Sequence, residues 1–135
     1  MMTVRTEIKP SSIEGVGIFA SEFIPKGTII WRMDSRFDMN YTAEQLDNLH
    51  LAMKEFIFRY GYPHMSAPHL TVLELDNGRF MNHSTSPNTD FTRPDVGIAI
   101  EDIHDGDEIT CNYFEFDKTF IGFHDQASSS PRETA

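Results

Sequence analysis

The stretch Arg79-Phe80-Met81-Asn82-His83-Ser84-Thr85-Ser86-Pro87-Asn88 carries the densest chemistry in this 135-residue chain. Asn, His, Ser and Thr side chains crowd positions 82–88, straight after a predicted strand. Such a loop offers side-chain and backbone donors to a polar ligand. A surface loop held by Asx- and Ser-turns has the same composition, so the stretch alone leaves both readings open. A nucleophilic Ser84 beside His83 is disfavoured. Neighbouring residues rarely point the right way, and no third orienting group is identifiable.

Working outward, Leu70 to Leu75 (LTVLEL) reads as a buried strand stopped by the tight turn Asp76-Asn77-Gly78. On the other side, Asp95 to Ile100 reads as a strand with Val96, Ile98 and Ile100 on its apolar face. Glu108-Ile109-Thr110-Cys111-Asn112-Tyr113-Phe114-Glu115-Phe116 is a further strand, ending in aromatics around one phenol. A lone Tyr is usually filler with its hydroxyl satisfied.

Nearer the N-terminus, Val4 to Ile8 alternates apolar and polar residues until Pro10-Ser11-Ser12 interrupts it. Ile13 to Ala20 follows, with Gly15-Val16-Gly17 as a bare G-x-G that lets backbone approach a ligand closely, or simply makes a turn. It is not a dinucleotide fingerprint, because the third glycine and the following helix are missing. Ile24-Pro25-Lys26-Gly27 and Ile103-His104-Asp105-Gly106 share one turn design, each leading into a β-branched strand. The spacing predicts one helix over about 41–62. Thr42 and Gln45 have capping-box spacing. Leu46, Leu49, Met53, Phe56, Ile57 and Tyr60 form an apolar face expected to pack on the core, and Gly61 and Pro63 end the run.

Composition sets the limits. Lys+Arg 11 against Asp+Glu 21 gives a net charge of −10, which argues against direct nucleic-acid binding and suits either solubility or a basic partner. The single cysteine, Cys111, excludes an internal disulfide and a Cys-only zinc site, and fits a reducing, intracellular setting. The 6 His lack paired ligand spacing, so no metal is expected. No apolar run approaches the roughly 20 residues of a membrane span, and Met1-Met2-Thr3-Val4-Arg5 has no signal-peptide core. The final residues, QASSSPRETA, have nothing to bury.

Taken in order, these segments resemble the SET domain, the fold of a large family of protein-lysine methyltransferases. Gly15-Val16-Gly17-Ile18-Phe19-Ala20 matches the family's G-x-G followed by an apolar-aromatic-Ala run. Arg79 through Asn88 matches R-F-x-N-H-S-x-x-P-N at every defining position. Gly106 through Tyr113 matches G-[DE]-E-[LI]-T-x-x-Y. The resemblance spans about residues 4–124, with a variable insert around 32–69. It implies a mainly β SET-domain fold over 1–125, with several small twisted β-sheets, a knot-like C-terminal crossing, one inserted helix, and a disordered tail over 126–135.

The resemblance also implies S-adenosylmethionine as cofactor. The Gly15-Val16-Gly17 backbone, Asn82 and His83 would surround it, Arg79 would brace the site, and Tyr113 would be the catalytic tyrosine. Thr85 stands where many members place a zinc-binding cysteine, and no cysteine follows Cys111, so the cysteine-rich lid of those members is missing. Phe116, Phe120 and Phe123 are expected to close the channel and cover the adenine, or else to be ordinary core. Cys111, two residues before the tyrosine, is smaller than the Phe or Tyr common there and leaves room in the channel for multiple methylation. The family's Y-x-G cofactor motif has no match; Tyr60-Gly61 and Tyr62 lie nearby.

Two functions remain open at this point. One is methyl transfer to lysine in a Lys/Arg-rich protein segment, such as a histone or histone-like tail, bound along a sheet edge. The other is a SET-like interaction module without catalysis. A homodimer is compatible with either.

Overall fold

A computed structural model describes residues 1–117; the expectations placed on Phe120, Phe123 and the tail lie outside the described residues. The chain forms β1 (Thr6–Pro10), β2 (Val16–Ala20), β3 (Ile29–Arg32) and β4 (Asp38–Tyr41), then helices α1 (Ala43–Asp47) and α2 (Leu51–Tyr60). After them come β5 (Tyr62–Pro63), β6 (Thr71–Glu74), β7 (Asn82–His83), β8 (Thr89–Asp90), β9 (Val96–Ala99) and β10 (Glu108–Cys111). The strands make three small sheets, ordered β1-β2-β10-β7, β3-β9-β8 and β4-β6-β5. No helix among the described residues is long and apolar enough to cross a membrane.

The pairing that positions the site is the parallel one between β10 and β7, Thr110 opposite Asn82 and Cys111 opposite His83. It sets the C-terminal segment beside the central polar stretch. Asn88 locks this arrangement: its Nδ2 donates to the Glu108 carbonyl at 2.8 Å, and its Oδ1 accepts from the Thr110 amide at 2.9 Å. One side-chain amide thus completes β10 as a neighbouring strand would. The Thr89 hydroxyl donates to the Thr110 carbonyl at 2.7 Å.

The two matching turns face one another. Ile24 and Ile103 exchange both backbone hydrogen bonds at 2.8 Å, and each turn closes on a glycine with positive φ, Gly27 at 89° and Gly106 at 93°. Both isoleucines join Ile18, Ile30, Trp31, Met81 and Ile109 in the main core.

Three local expectations need correction. The predicted single helix is two, because the Asn48 side chain donates to the Glu44 carbonyl at 3.0 Å and ends α1. A polar side chain that binds nearby backbone competes with helix continuation. The expected apolar face is also only partly covered: Ile57 is buried, Leu46, Leu49 and Tyr60 are half-buried, and Met53 and Phe56 are exposed. On β9 the buried face is Gly97 and Ala99, not Val96, Ile98 and Ile100. Trp31 pairs with Gly97 across the sheet, and a Cβ on Gly97 would lie 2.5 Å from the Phe91 ring. Large rings on neighbouring elements therefore demand the smallest residues on β9's inner face.

Candidate active site

A cavity of about 1070 Å³ opens between the Glu14–Val16 loop, α2, the Arg79–Asn82 segment and the aromatic residues that follow β10. Each wall has a distinct origin in the sequence.

The first wall is organised by Asn82, which is buried and donates through Nδ2 to the carbonyls of Glu14 and Val16, each at 3.1 Å, and to Glu108 Oε2 at 3.0 Å. The Ser11 hydroxyl reaches the same carboxylate, 2.8 Å from Oε1 and 3.0 Å from Oε2. The two glycines of G-x-G serve different ends. Gly15 adopts φ +47 with nothing within 4 Å of a Cβ position, whereas a Cβ on Gly17 would sit 2.3 Å from Glu108 Oε2. Gly15 supplies a left-handed turn bordering open space, and Gly17 supplies close approach. Gly15 and Val16 line the cavity; Gly17 and His83 are not among its lining residues.

The second wall holds Arg79 and Tyr113. Arg79 donates through Nη1 to the carbonyls of Leu75 and Asp76, and its guanidinium lies 4.6 Å from the Phe80 ring centre. Its Nε is buried without a hydrogen-bond partner among the described residues. The Tyr113 hydroxyl donates to the Met81 carbonyl at 2.5 Å, and the Tyr113 amide donates to His83 Nδ1 at 3.0 Å. A nitrogen that accepts carries no proton, so His83 is neutral in this arrangement. Burial lowers its pKa in agreement. Burial likewise raises the Tyr113 phenol well above the usual tyrosine range. His83 thus fixes the backbone of Tyr113 from behind the site.

The third wall is aromatic. Phe116 has ring-centre distances of 5.2 Å to Tyr62 and 5.8 Å to both Phe91 and Tyr113, and Phe91 is 5.7 Å from Trp31. Cys111 lines the same space, and burial pushes its thiol pKa up, leaving it protonated and unreactive.

Sequence reasoning missed Trp31, Tyr62, Glu74 and Phe91, all of which line the cavity. Glu74 is buried on β6, with the Tyr62 hydroxyl donating to its Oε1 at 2.9 Å. Burial pushes its carboxyl up to about 7, against the stabilising Tyr62 bond. An acid inside the apolar run LTVLEL was the one available signal.

Small sheets converging on a cavity with a G-x-G loop, an Asn-His strand beside it and a half-buried tyrosine define the class. The SET domain family model matches residues 15–114, and the chain belongs to that family. A candidate histone methyltransferase of Plasmodium falciparum aligns with TM-score 0.58 and 24% identity, covering 83% of this chain and 95% of that one. The Neurospora histone lysine methyltransferase DIM-5 aligns with TM-score 0.54 and 20% identity, over 83% of this chain and 53% of its own. A humanized Chaetomium thermophilum Polycomb Repressive Complex 2 gives TM-score 0.61 and 19% identity, over 84% of this chain but 15% of that one. At these identities the likeness shows the fold alone. No curated protein matches the sequence.

Proposed function

We propose that this chain transfers methyl groups from S-adenosylmethionine to the ε-amine of lysine in a basic protein. The reading rests above all on the Tyr113 hydroxyl, held on the Met81 carbonyl in the wall of a cavity that also contains the G-x-G loop and an aromatic cluster.

The residues present fit the cofactor. The cavity is slightly larger than the roughly 300–1,000 Å³ typical of small-molecule sites, room enough for a cofactor and a substrate side chain. Open space borders Gly15, and the buried, unpartnered Arg79 Nε is a donor suited to a carboxylate. The Glu14-Gly15-Val16 backbone, Arg79 and Asn82 would hold S-adenosylmethionine, which supplies a methyl group made electrophilic by the sulfonium beside it. Tyr113 stays protonated across the neutral range, so it orients groups through hydrogen bonds and does not act as a base. Orientation of this kind can supply about 7–11 kcal/mol. Aromatic faces from Trp31, Tyr62, Phe91 and Phe116 favour an alkylammonium group by about 0.5–2 kcal/mol. The small Cys111 leaves room for more than one added methyl. With a net charge of −10 the chain attracts Lys/Arg-rich segments, an attraction that added salt should weaken.

Calorimetry with S-adenosylmethionine, combined with transfer of labelled methyl to a panel of basic proteins, tests the reading. Cofactor binding with salt-sensitive labelling of lysine is expected. No cofactor binding, or binding without transfer to any protein, would overturn it in favour of an interaction module.

A further inference from the structure

Resting on that reading, we propose that Tyr62 and Glu74 form the pair that takes the proton a substrate lysine must lose, Tyr62 touching the amine and Glu74 receiving the proton through it. Glu74 is a buried acid whose carboxylate is only half satisfied. Asp38 and Glu74 are cross-strand neighbours on β4 and β6, both buried. The charge of Asp38 is answered by the Met1 amino group at 2.9 Å and the Asp34 amide at 2.7 Å. Glu74 has the Tyr62 hydroxyl on Oε1, while its Oε2 is buried and has no hydrogen-bond partner among the described residues. That oxygen packs over Gly78, where a Cβ would lie 2.1 Å away. Glu74, Gly78, Tyr62, Cys111 and Tyr113 all line the one cavity.

A phenol has one proton, and Tyr62 commits its proton to Glu74. What Tyr62 can then offer the cavity is its lone pairs, which accept from an ammonium group. Lysine has a pKa of about 10.4 in water and must become neutral before its nitrogen can attack carbon. In the transfer, an ammonium N–H bond breaks and an O–H bond forms on Tyr62, while Tyr62's own proton passes to Glu74 Oε1. The electron pair remains on nitrogen, leaving a neutral amine and a neutral carboxylic acid.

The surroundings suit this traffic. Burial holds the Glu74 carboxyl near 7, with Asp38 and Asp76 raising it and the Met1 amine and Tyr62 bond lowering it. Burial and the Glu74 charge keep Tyr62 a phenol between transfers. Cys111 from β10 is protonated and adds no charge. Tyr113 remains free of the proton step and keeps its bond to Met81.

Trp31, the only tryptophan, lines the cavity and reports on its contents. The probe is n-butylammonium chloride, a stand-in for the lysine head, titrated against tryptophan emission between about pH 5.5 and 8.5. Wild-type affinity should strengthen as pH rises through the Glu74 titration. Glu74→Gln should lose that dependence and bind at least about tenfold more weakly at the alkaline end, since a charge-assisted hydrogen bond is removed. Tyr62→Phe should lose it too, and carries the test should the Gln variant fold poorly. With S-adenosylmethionine and a lysine-containing basic protein, the acid limb of kcat should disappear in both variants. Wild-type affinity and pH dependence retained in Glu74→Gln, or no response of the wild type to butylammonium, overturns the proposal. If butylammonium binding depends on Glu74 while the wild type methylates nothing, the methyltransferase reading fails and the cation-accepting pair stands.

Discussion

Asn82 Nδ2 lies 3.0 Å from Glu108 Oε2, and this contact joins the central polar stretch to the strand that delivers Tyr113. The same Glu108 oxygen fills the space a side chain at position 17 would need. Gly17→Ala should therefore displace Glu108 from both Asn82 and Ser11, at a loss of about 1–3 kcal/mol in stability. S-adenosylmethionine affinity should drop with it, because Asn82, which holds the Glu14 and Val16 carbonyls, loses its Glu108 partner. A Cβ at position 17 would also lie 3.0 Å from Asn82 Nδ2, but its closest approach is to the Glu108 carboxylate, so Gly17→Ala should cost less in a Glu108→Ala background than in the wild type. Thermal unfolding of the three variants checks this; additive losses would place the strain elsewhere.

Tyr113→Phe removes one hydroxyl and leaves the Met81 carbonyl without that donor. The expected stability loss is about 1–2 kcal/mol, and the fold should survive. Methyl transfer should fall by at least about 10²-fold, as when a positioned donor is removed from a reaction centre. Calorimetric affinity for the cofactor should change little, since the cofactor's own anchors are elsewhere. Unchanged turnover would remove Tyr113 from the chemistry.

The fold class was legible, as were the motif residues that the structure gathers at or beside the cavity, because their determinants are local. Gly15, Asn82, His83 and Tyr113 each sit in a short run whose residue types are fixed by backbone geometry or by a bond to a neighbouring run. Tyr62 and Glu74 were not legible, since their meeting depends on the pairing of β5 with β6 and their separate contexts say nothing of it. The buried face of β9 is set by the volumes of Trp31 and Phe91, which no periodicity along Val96–Ala99 encodes. On α2 the pattern places Met53, Phe56 and Ile57 on one side, yet of the three only Ile57 is buried. Periodicity states which residues share a side and not whether another element covers them. The break at Asn48 depends on a single side-chain bond to Glu44, beyond the reach of a hydrophobic pattern.

Glu74 gives stability a defined pH dependence. Burial lifts its folded-state pKa to about 7, above the 4.5 of an ordinary glutamate, so the folded protein holds more protons than the unfolded chain between those limits. Stability should fall as pH rises through that window, by on the order of 3 kcal/mol for the full shift. His83 has the opposite sign: burial lowers its pKa from 6.5, so its contribution is lost as pH falls below that value. Glu74→Gln should abolish the alkaline loss and leave the acid loss in place. Urea midpoints measured across the window distinguish the two; an unchanged slope in Glu74→Gln would mean the carboxyl is ionised throughout.

Asn88 uses both ends of its amide on β10, donating to the Glu108 carbonyl and accepting from the Thr110 amide. Asn88→Asp keeps the acceptor for Thr110 but replaces the donor with an oxygen facing a carbonyl. Asn88→Ala removes both bonds and leaves two backbone groups to find other partners. Each backbone group left unsatisfied costs about 1–3 kcal/mol, so both variants should be destabilised. The functional consequence separates this from a general loss of stability. β10 leads within two residues to Tyr113, so loosening it should reduce kcat before it reduces cofactor affinity. Methyl-transfer kinetics on variants held well below their unfolding temperature provide the measurement. A parallel fall in cofactor affinity and kcat would show instead that Asn88 supports the cavity as a whole.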